Sequence, residues 1–335
     1  MKLSILGTTG YTGTLLLKLA IAHPNIKKIY AFSSSRNGEK IGIQSEKLIS
    51  STFLSYDKLN EIEFDIIISA LPHLTSSLYY SDYIGKKIII DLAADLRIEN
   101  KELFFQSYGK LPDIAHYFGR ATYGLSEINY NQIANSDLIA NPGCYPTVSL
   151  LAILPIVKEI KDVRNIFINS FSGVSGAGKK AKTDLLYCER NENINVYNPI
   201  SKHRHYNEIK EKIDAEINNI SLSFNPYLLP VNRGIYSNNT ILFKSNISEK
   251  NVFEIFTQYY KDKSFVKIVP IEEMQMKNVV YTNNCLLSVI IDKNQLQIFS
   301  AIDNLLKGSA GQAIQNLNLR CGFPETTGLP QSSFA

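Results

Sequence analysis

The sequence predicts an α/β Rossmann-like nucleotide-binding domain followed by an α+β catalytic domain with a mixed or antiparallel sheet. Three observations predict it. A glycine-rich turn joins a short apolar run to a helical pattern near the N-terminus. Short apolar runs then alternate with polar, helix-length intervals as far as Asn141, the pattern of βαβ units in a parallel sheet. After Pro142 the texture changes to alternating segments with few helices between them, which suits a sheet with one solvated face.

Taken in order, residues 2–6 read as a buried strand, residues 7–13 as a glycine turn, and Leu15, Leu16, Leu19 and Ala20 as one face of a helix. Residues 28–33, 64–70 and 87–91 are further strands. Residues 145–160 read as a helix, and residues 165–171, 239–245, 265–269 and 286–291 as strands of the second sheet. Ile302, Leu305, Leu306, Ala310, Ala313, Ile314 and Leu317 make a helical stripe. The expected division is 1–143 for the nucleotide-binding domain and 144–300 for the α+β domain, followed by a C-terminal helix over 301–335.

Composition narrows the function. The 335 residues suit two domains at about 150 residues each. Lys and Arg total 35 against 31 Asp and Glu, with no dense basic run, so a nucleic-acid backbone is not an expected partner. No apolar stretch approaches the ~20 residues of a membrane span. The first residues run straight into Gly7 without the pattern of a signal peptide. The expectation is a soluble, cytoplasmic protein. Four widely spaced cysteines without a CxxC pair read as thiols in a reducing compartment.

In Gly7-Thr8-Thr9-Gly10-Tyr11-Thr12-Gly13, Gly7 allows a tight turn, Gly10 lets backbone approach a pyrophosphate, and Gly13 lets the helix pack closely. The alternative is a structural turn that needs glycine conformations. Where an NAD site wants a carboxylate at the end of the second strand, this chain has Ser33-Ser34-Ser35-Arg36. Hydroxyls and a guanidinium suit a 2′-phosphate, so NADP(H) is the expected cofactor. Thr9, Tyr11, Thr12, Ser33, Ser35 and Arg36 join the three glycines as its candidate contacts.

Asn141-Pro142-Gly143-Cys144-Tyr145-Pro146-Thr147 places Cys144 at a helix start, where the macrodipole and unpaired N–H groups favour a thiolate. Its bland reading is a buried structural cysteine. Cys188, Cys285 and Cys321 are read that way. Among the five histidines, His203 and His205 lie with Arg204 and Glu208 ahead of Ile209, Ile213 and Ile217 at helical spacing. His205 is the first choice as acid/base, with His203 second and Glu208 orienting the ring. A metal at His-x-His lacks a supporting cluster of ligands, and none is expected. Ser172-Gly173-Val174-Ser175-Gly176-Ala177-Gly178-Lys179 leaves backbone N–H groups for an anion or nicotinamide. Ser175 and Gly176 are assigned to the cofactor and Ser172 to the substrate. Arg97, Arg204 and Arg233 are candidates for a carboxylate or phosphate, against plain salt pairing.

Together these residues resemble the N-acetyl-γ-glutamyl-phosphate reductases, NADPH-dependent enzymes of arginine biosynthesis in the semialdehyde dehydrogenase superfamily. The resemblance runs through residues 7–13, 91–97, 123–127, 141–147, 172–178, 203–209 and 303–313. It implies that Cys144 attacks an acyl phosphate, that Asn304 lies near the cofactor, that the helix over 301–335 joins an NADP-binding domain over 1–143, that 144–300 is a catalytic and dimerisation domain, and that the protein is a homotetramer or homodimer. Ala93, Ser126 and Asn207 depart from the family pattern. Asn caps a helix start acceptably, and none of the three touches the implied chemistry. Rival readings are an aspartate semialdehyde dehydrogenase, a carrier-linked aminoadipyl-phosphate reductase, and a non-catalytic NADP-binding sensor. The sensor would need neither Cys144 nor the histidine cluster.

Overall fold

The computed structural model describes residues 1–332; residues 333–335, the end of the expected C-terminal helix, lie outside the described residues. The chain forms two compact units. One comprises Met1–Phe105, Gly109–Pro142 and Ser309–Leu329, the other Gln106–Tyr108, Gly143–Gly308 and, of the described residues, 330–332.

The first unit opens with β1 (Lys2–Leu6), α1 (Tyr11–Ala22) and β2 (Lys28–Phe32). It continues with β3 (Ile66–Ser69), α2 (Ser77–Tyr80), β4 (Ile88–Asp91) and α3 (Lys101–Tyr108). β5 (Thr122–Tyr123), α4 (Tyr130–Ala134) and β6 (Leu138–Ala140) complete the sheet. All its strands are parallel, in the order β2-β1-β3-β4-β6-β5. Leu3, Ile5 and Leu6 are fully buried, as is Ser4 between them, so β1 is covered on both faces as a parallel strand is. Strand order reverses between β1 and β3, and ligands of such sheets bind at the carboxyl ends beside the reversal. Gly7 stands there. Asp91, fully buried at the end of β4, accepts from Ser76 Oγ at 2.6 Å, Tyr80 Oη at 2.9 Å and the Ala93 N–H at 3.0 Å. Burial, then the neighbouring Asp95, pushes its carboxyl above the usual range.

The second unit begins with α5 (Cys144–Glu159) and β7 (Val163–Ser172), then α6 (Tyr187–Arg190), β8 (Asn195–Val196) and α7 (His205–Asp214). β9 (Ser221–Leu228), β10 (Ile235–Phe243), α8 (Glu249–Tyr260) and β11 (Val266–Ile268) follow, and β12 (Cys285–Asp292) and β13 (Gln295–Ile302) end it. Its sheet is mixed, in the order β11-β12-β13-β10-β7-β9-β8, with parallel pairs only at β11/β12 and β7/β9. α5 packs on this sheet and is buried from Tyr145 to Val157. Its Pro155 has no N–H to offer the Leu151 carbonyl one turn back. Tyr260 Oη donates to that carbonyl at 2.5 Å instead, which lets the helix run through the proline. Pro226 likewise sits inside β9. A proline demotes a strand in sequence, and the sequence reading passes over this one.

The expected helix over 301–335 is corrected. Ala301 and Ile302 belong to β13, where Ile302 pairs with Ile235 on one side and Cys285 on the other. A π-helical turn over Leu306–Ala310 follows, and only then α9 (Gly311–Arg320). The apolar spacing ran on across a strand, a turn and a helix because all three are buried, and burial without exposed polar positions carries no period. α9 is covered on all sides within the first unit, with Gln312, Gln315, Asn316 and Asn318 fully buried. Each amide has partners: Gln312 Nε2 donates to the Gly124 carbonyl at 3.0 Å, and Asn318 Oδ1 meets His23 Nε2 at 2.8 Å.

Gly13 is the tightest point of the nucleotide turn, since a Cβ there would lie 2.0 Å from the Gly7 carbonyl oxygen. Gly13→Ala should therefore lower stability by about 1–3 kcal/mol through overpacking. Gly10→Ala, whose Cβ would meet only that oxygen at 4.0 Å, should melt like the wild type; equal melting of both variants in thermal denaturation would contradict the packing argument.

Candidate active site

A cavity of about 510 Å³ in the second unit is lined by Cys144, Tyr145, Tyr197, His203 and His205, among others. Cys144 is the first residue of α5, and Gly143 before it is extended, with φ −68° and ψ 157°. The Gly143 carbonyl accepts from both the N–H and Oγ1 of Thr147 at 2.9 Å. Its N–H donates to Glu208 Oε1 at 2.9 Å, and Glu208 is fully buried on α7. No acidic residue lies in the first turn of α5, so nothing on the helix itself opposes a negative charge at its N-terminus. Gly308 packs closely on Cys144, for a Cβ there would come within 2.8 Å of Cys144 Cβ.

The two histidines differ. His203 Nδ1 accepts the His205 backbone N–H at 3.1 Å, so its neutral ring carries the proton on Nε2. Tyr145, Tyr197, His205 and Phe224 meet the ring edge-on at centroid distances of 4.9–5.5 Å. Burial in this box, with the Arg204 charge adding to it, lowers the His203 pKa to about 3. His203 is thus a neutral, immobile ring. His205, buried at the start of α7, lines the same cavity, and Tyr145 stands edge-on to it at 5.9 Å.

Tyr145 and Tyr197 share a hydrogen bond of 2.7 Å between their hydroxyls. Burial raises Tyr145 well above the ordinary phenol range and pushes Tyr197 up to about 12, so both stay protonated. Sequence reasoning missed this pair, because a tyrosine next to a cysteine and another in an irregular segment carry no spacing signal. It missed Lys182 and Lys202 as well. With Arg204 they line the cavity against one carboxylate, Asp184.

Ser172, Gly173 and Gly176 also line it. Asn304 ties this loop down: its Nδ2 donates to Ser175 Oγ at 2.9 Å, and its Oδ1 accepts the Gly234 N–H at 2.7 Å. Arg233 stands outside this lining. Its guanidinium pairs with the buried Asp303 at 2.9 Å and lies over the Tyr281 ring at 4.7 Å. Arg97, in the first unit, is buried and donates to the Leu92 carbonyl at 2.6 Å.

In the first unit Gly7 has φ +81° and Gly10 offers α1 no side-chain cap. The helix N-terminus and the open backbone at Gly10 fit a pyrophosphate. Thr9 Oγ1 lies 3.2 Å from Ser33 Oγ, which stands 3.5 Å from Ser35 Oγ and accepts the Arg36 N–H at 3.3 Å. The Arg36 guanidinium is exposed and meets only the surface carboxylate of Glu39 and the Phe53 ring; such a surface pair exchanges readily. Thr12 Oγ1 reaches Ser309 Oγ at 3.3 Å, and Tyr11 is exposed. Hydroxyls and a guanidinium with no carboxylate on the strand end fit a 2′-phosphate. Tyr56, also missed, reaches the Gly7 backbone and Ser34 from an irregular segment. Among the described residues no group of three or more His, Cys, Asp or Glu is placed to hold a metal.

The His203 environment sets a pH signature. Its folded pKa of about 3 lies below the ordinary 6.5, so between these values the unfolded chain binds a proton that the fold does not. Its contribution to stability is present above pH 6.5 and is lost as pH falls toward 3. His203→Gln should flatten that part of the stability-versus-pH curve relative to wild type; parallel curves in chemical denaturation would exclude a buried neutral ring.

The chain matches the semialdehyde dehydrogenase NAD-binding domain over residues 2–136 and the semialdehyde dehydrogenase dimerisation domain over residues 144–304. It is 39% identical to N-acetyl-gamma-glutamyl-phosphate reductase of Caldicellulosiruptor bescii, covering 98% of each chain. It is 36% identical to the enzyme of that name from Campylobacter jejuni, again covering 98% of each. Among solved structures, aspartate semialdehyde dehydrogenase II of Vibrio cholerae superposes with a TM-score of 0.70 at 16% identity, over 96% of this chain and 98% of that one. Aspartate semialdehyde dehydrogenase with NADP from Candida albicans gives 0.61 at 13% identity, over 95% and 97%. Those likenesses show a shared fold, and the full-length sequence matches are closer. With a nucleotide-type first unit and a second unit built around Cys144, the chain belongs to the N-acetyl-γ-glutamyl-phosphate reductase family of semialdehyde dehydrogenases.

Proposed function

We propose that this protein reduces N-acetyl-γ-glutamyl phosphate to N-acetylglutamate 5-semialdehyde, releasing phosphate, with NADPH as cofactor, in arginine biosynthesis. The observation that carries the reading is one cavity lined by a helix-initiating cysteine, a buried histidine beside it and a cationic rim, in a chain of this family. Cys144 sulfur attacks the acyl carbon, the carbon–oxygen bond to phosphate breaks, and phosphate leaves behind a Cys144 thioester. NADPH, held through residues 7–13 and the Ser33–Arg36 turn, supplies the hydride. His205 gives a proton to the alkoxide that hydride addition would leave on the former acyl oxygen, and takes it back as the carbon–sulfur bond breaks, Cys144 departs as thiolate and the aldehyde forms. His203 stays neutral throughout and braces Tyr145 and His205. Glu208 holds the Gly143 N–H and thereby the helix start.

Lys182, Lys202 and Arg204 suit a substrate bearing a carboxylate and a phosphoryl group. An aspartyl phosphate carries an α-ammonium as well, which this rim would repel, so the rim supports the acylated substrate over its unacylated relative. The domain match over residues 144–304 supports a homo-oligomer. On the sheet face away from α5, Phe167, Phe171, Tyr227, Tyr236 and Phe299 are half-buried in the single chain. That face supports a homodimer or homotetramer. No helix among the described residues is long and apolar enough to cross a membrane, and no disulfide joins the four cysteines; both support a cytoplasmic setting.

The wild type should reduce NADP⁺ in the presence of phosphate and N-acetylglutamate semialdehyde but not aspartate semialdehyde. Cys144→Ala should abolish turnover while still binding NADPH. Equal activity on both aldehydes, or turnover by the cysteine variant, would overturn the assignment. For the oligomer, light scattering after gel filtration should give a multiple of the chain mass, reduced by Phe171→Glu; a monomeric wild type would refute the proposed sheet contact.

A further inference from the structure

Arg190 closes α6 in the second unit, five residues ahead of Asn195 on β8. It is 7% exposed, and among the described residues no carboxylate stands within ion-pair distance of it. Glu189 and Glu192, close by in sequence, are exposed and do not pair with it. Its Nε is buried without a hydrogen-bond partner, and its Nη1 donates to Asn195 Oδ1. A buried guanidinium whose only bonded side chain is a neutral amide costs stability. Arg233 shows the ordinary arrangement, with its charge met by Asp303 at 2.9 Å.

Asn195 lines the cavity of Cys144, as does Leu228, its register partner on β9; Arg190 itself does not. A guanidinium carries only donors, so the amide must turn its oxygen to Arg190. That leaves Nδ2, which has no partner among the described residues, as the atom offered to the cavity. The wall thus presents N–H donors backed by a positive charge that no carboxylate of the protein balances. A carboxylate only accepts, and charge-assisted bonds from such donors are the strong ones. Phosphate must depart in each turnover, whereas the substrate's carboxylate stays bound from thioester to aldehyde. A fixed donor with a charge held behind it suits the group that stays.

We propose that Asn195 binds the carboxylate of the substrate and that Arg190 is its positioning residue, turning the amide and supplying the charge behind it. The inference rests on the proposed reaction, whose substrate carries a carboxylate that survives into the aldehyde product.

The reverse reaction separates the two anions, because semialdehyde and phosphate then enter as distinct substrates, each with its own KM. In the full-length protein, Asn195→Ala should raise KM for N-acetylglutamate semialdehyde about tenfold, the loss expected of a charge-assisted hydrogen bond. The kcat and the KM values for phosphate and NADP⁺ should stay within about twofold. Asn195→Asp should raise the aldehyde KM further, since one oxygen accepts from Arg190 while the other repels the incoming carboxylate. Arg190→Met keeps the stem and removes the charge. It should raise the same KM about tenfold, and combined with Asn195→Ala it should cost less than the product of the two effects. A purely structural arginine would lower the melting temperature when replaced, whereas Arg190→Met should melt no lower than wild type, because an unbalanced buried charge is gone. A clear fall in melting temperature or a failure to fold would overturn the proposal. So would multiplying effects, an unchanged aldehyde KM in the Asn195 variants, or a rise confined to the KM for phosphate. A wild type that does not turn over this aldehyde removes the proposed reaction and this inference together, whereas an active wild type with unchanged KM in the variants removes this inference alone.

Discussion

The bond from the Gly143 N–H to the buried Glu208 carboxylate is the constraint on which the catalytic unit turns. It joins the starts of two helices, since Glu208 lies in the first turn of α7 and Gly143 caps α5. Cys144 and His205, the opening residues of those helices, are thereby delivered to one cavity. The α5 N-terminus stays open to a developing negative charge, while Glu208 spends its own on a backbone donor. Removing a fully buried carboxylate's partner is costly, so this contact holds geometry as well as charge.

Around it, neutral groups do the ordering. Two tyrosine hydroxyls and a histidine kept uncharged line the cavity with Cys144, and the Phe224 ring stands edge-on to that histidine. Charges stand further out, on Lys182, Lys202 and Arg204. The division has a physical logic: buried ions demand partners, whereas fixed dipoles and edge-on rings orient a neighbour without them.

The first unit solves a different problem. α9 is buried on all sides yet carries four amide side chains, a composition that costs stability unless every group is paired. Bonds to Gly124, Ser126, Glu127, Asn141 and His23 pair all of these side chains except at Gln312 Oε1. A helix held by directional bonds has one seating, which greasy packing alone does not guarantee.

The sequence by itself determined the parallel nucleotide-type sheet, its glycine turn, the preference for a 2′-phosphate, the cysteine at a helix start and the histidine pair. All of these are local: a turn glycine, a strand-end side chain or an N-terminal residue states its role through its immediate neighbours. β9 was hidden by Pro226, and α9 was misjudged because a fully buried segment has no polar face to mark its period. Only the tertiary structure decided that Arg233 serves Asp303, that Tyr197 joins Tyr145, that Pro155 is relieved by Tyr260, and that His203 and His205 have different chemistry. Each depends on a partner far along the chain, and which distant groups meet is settled by packing rather than by spacing.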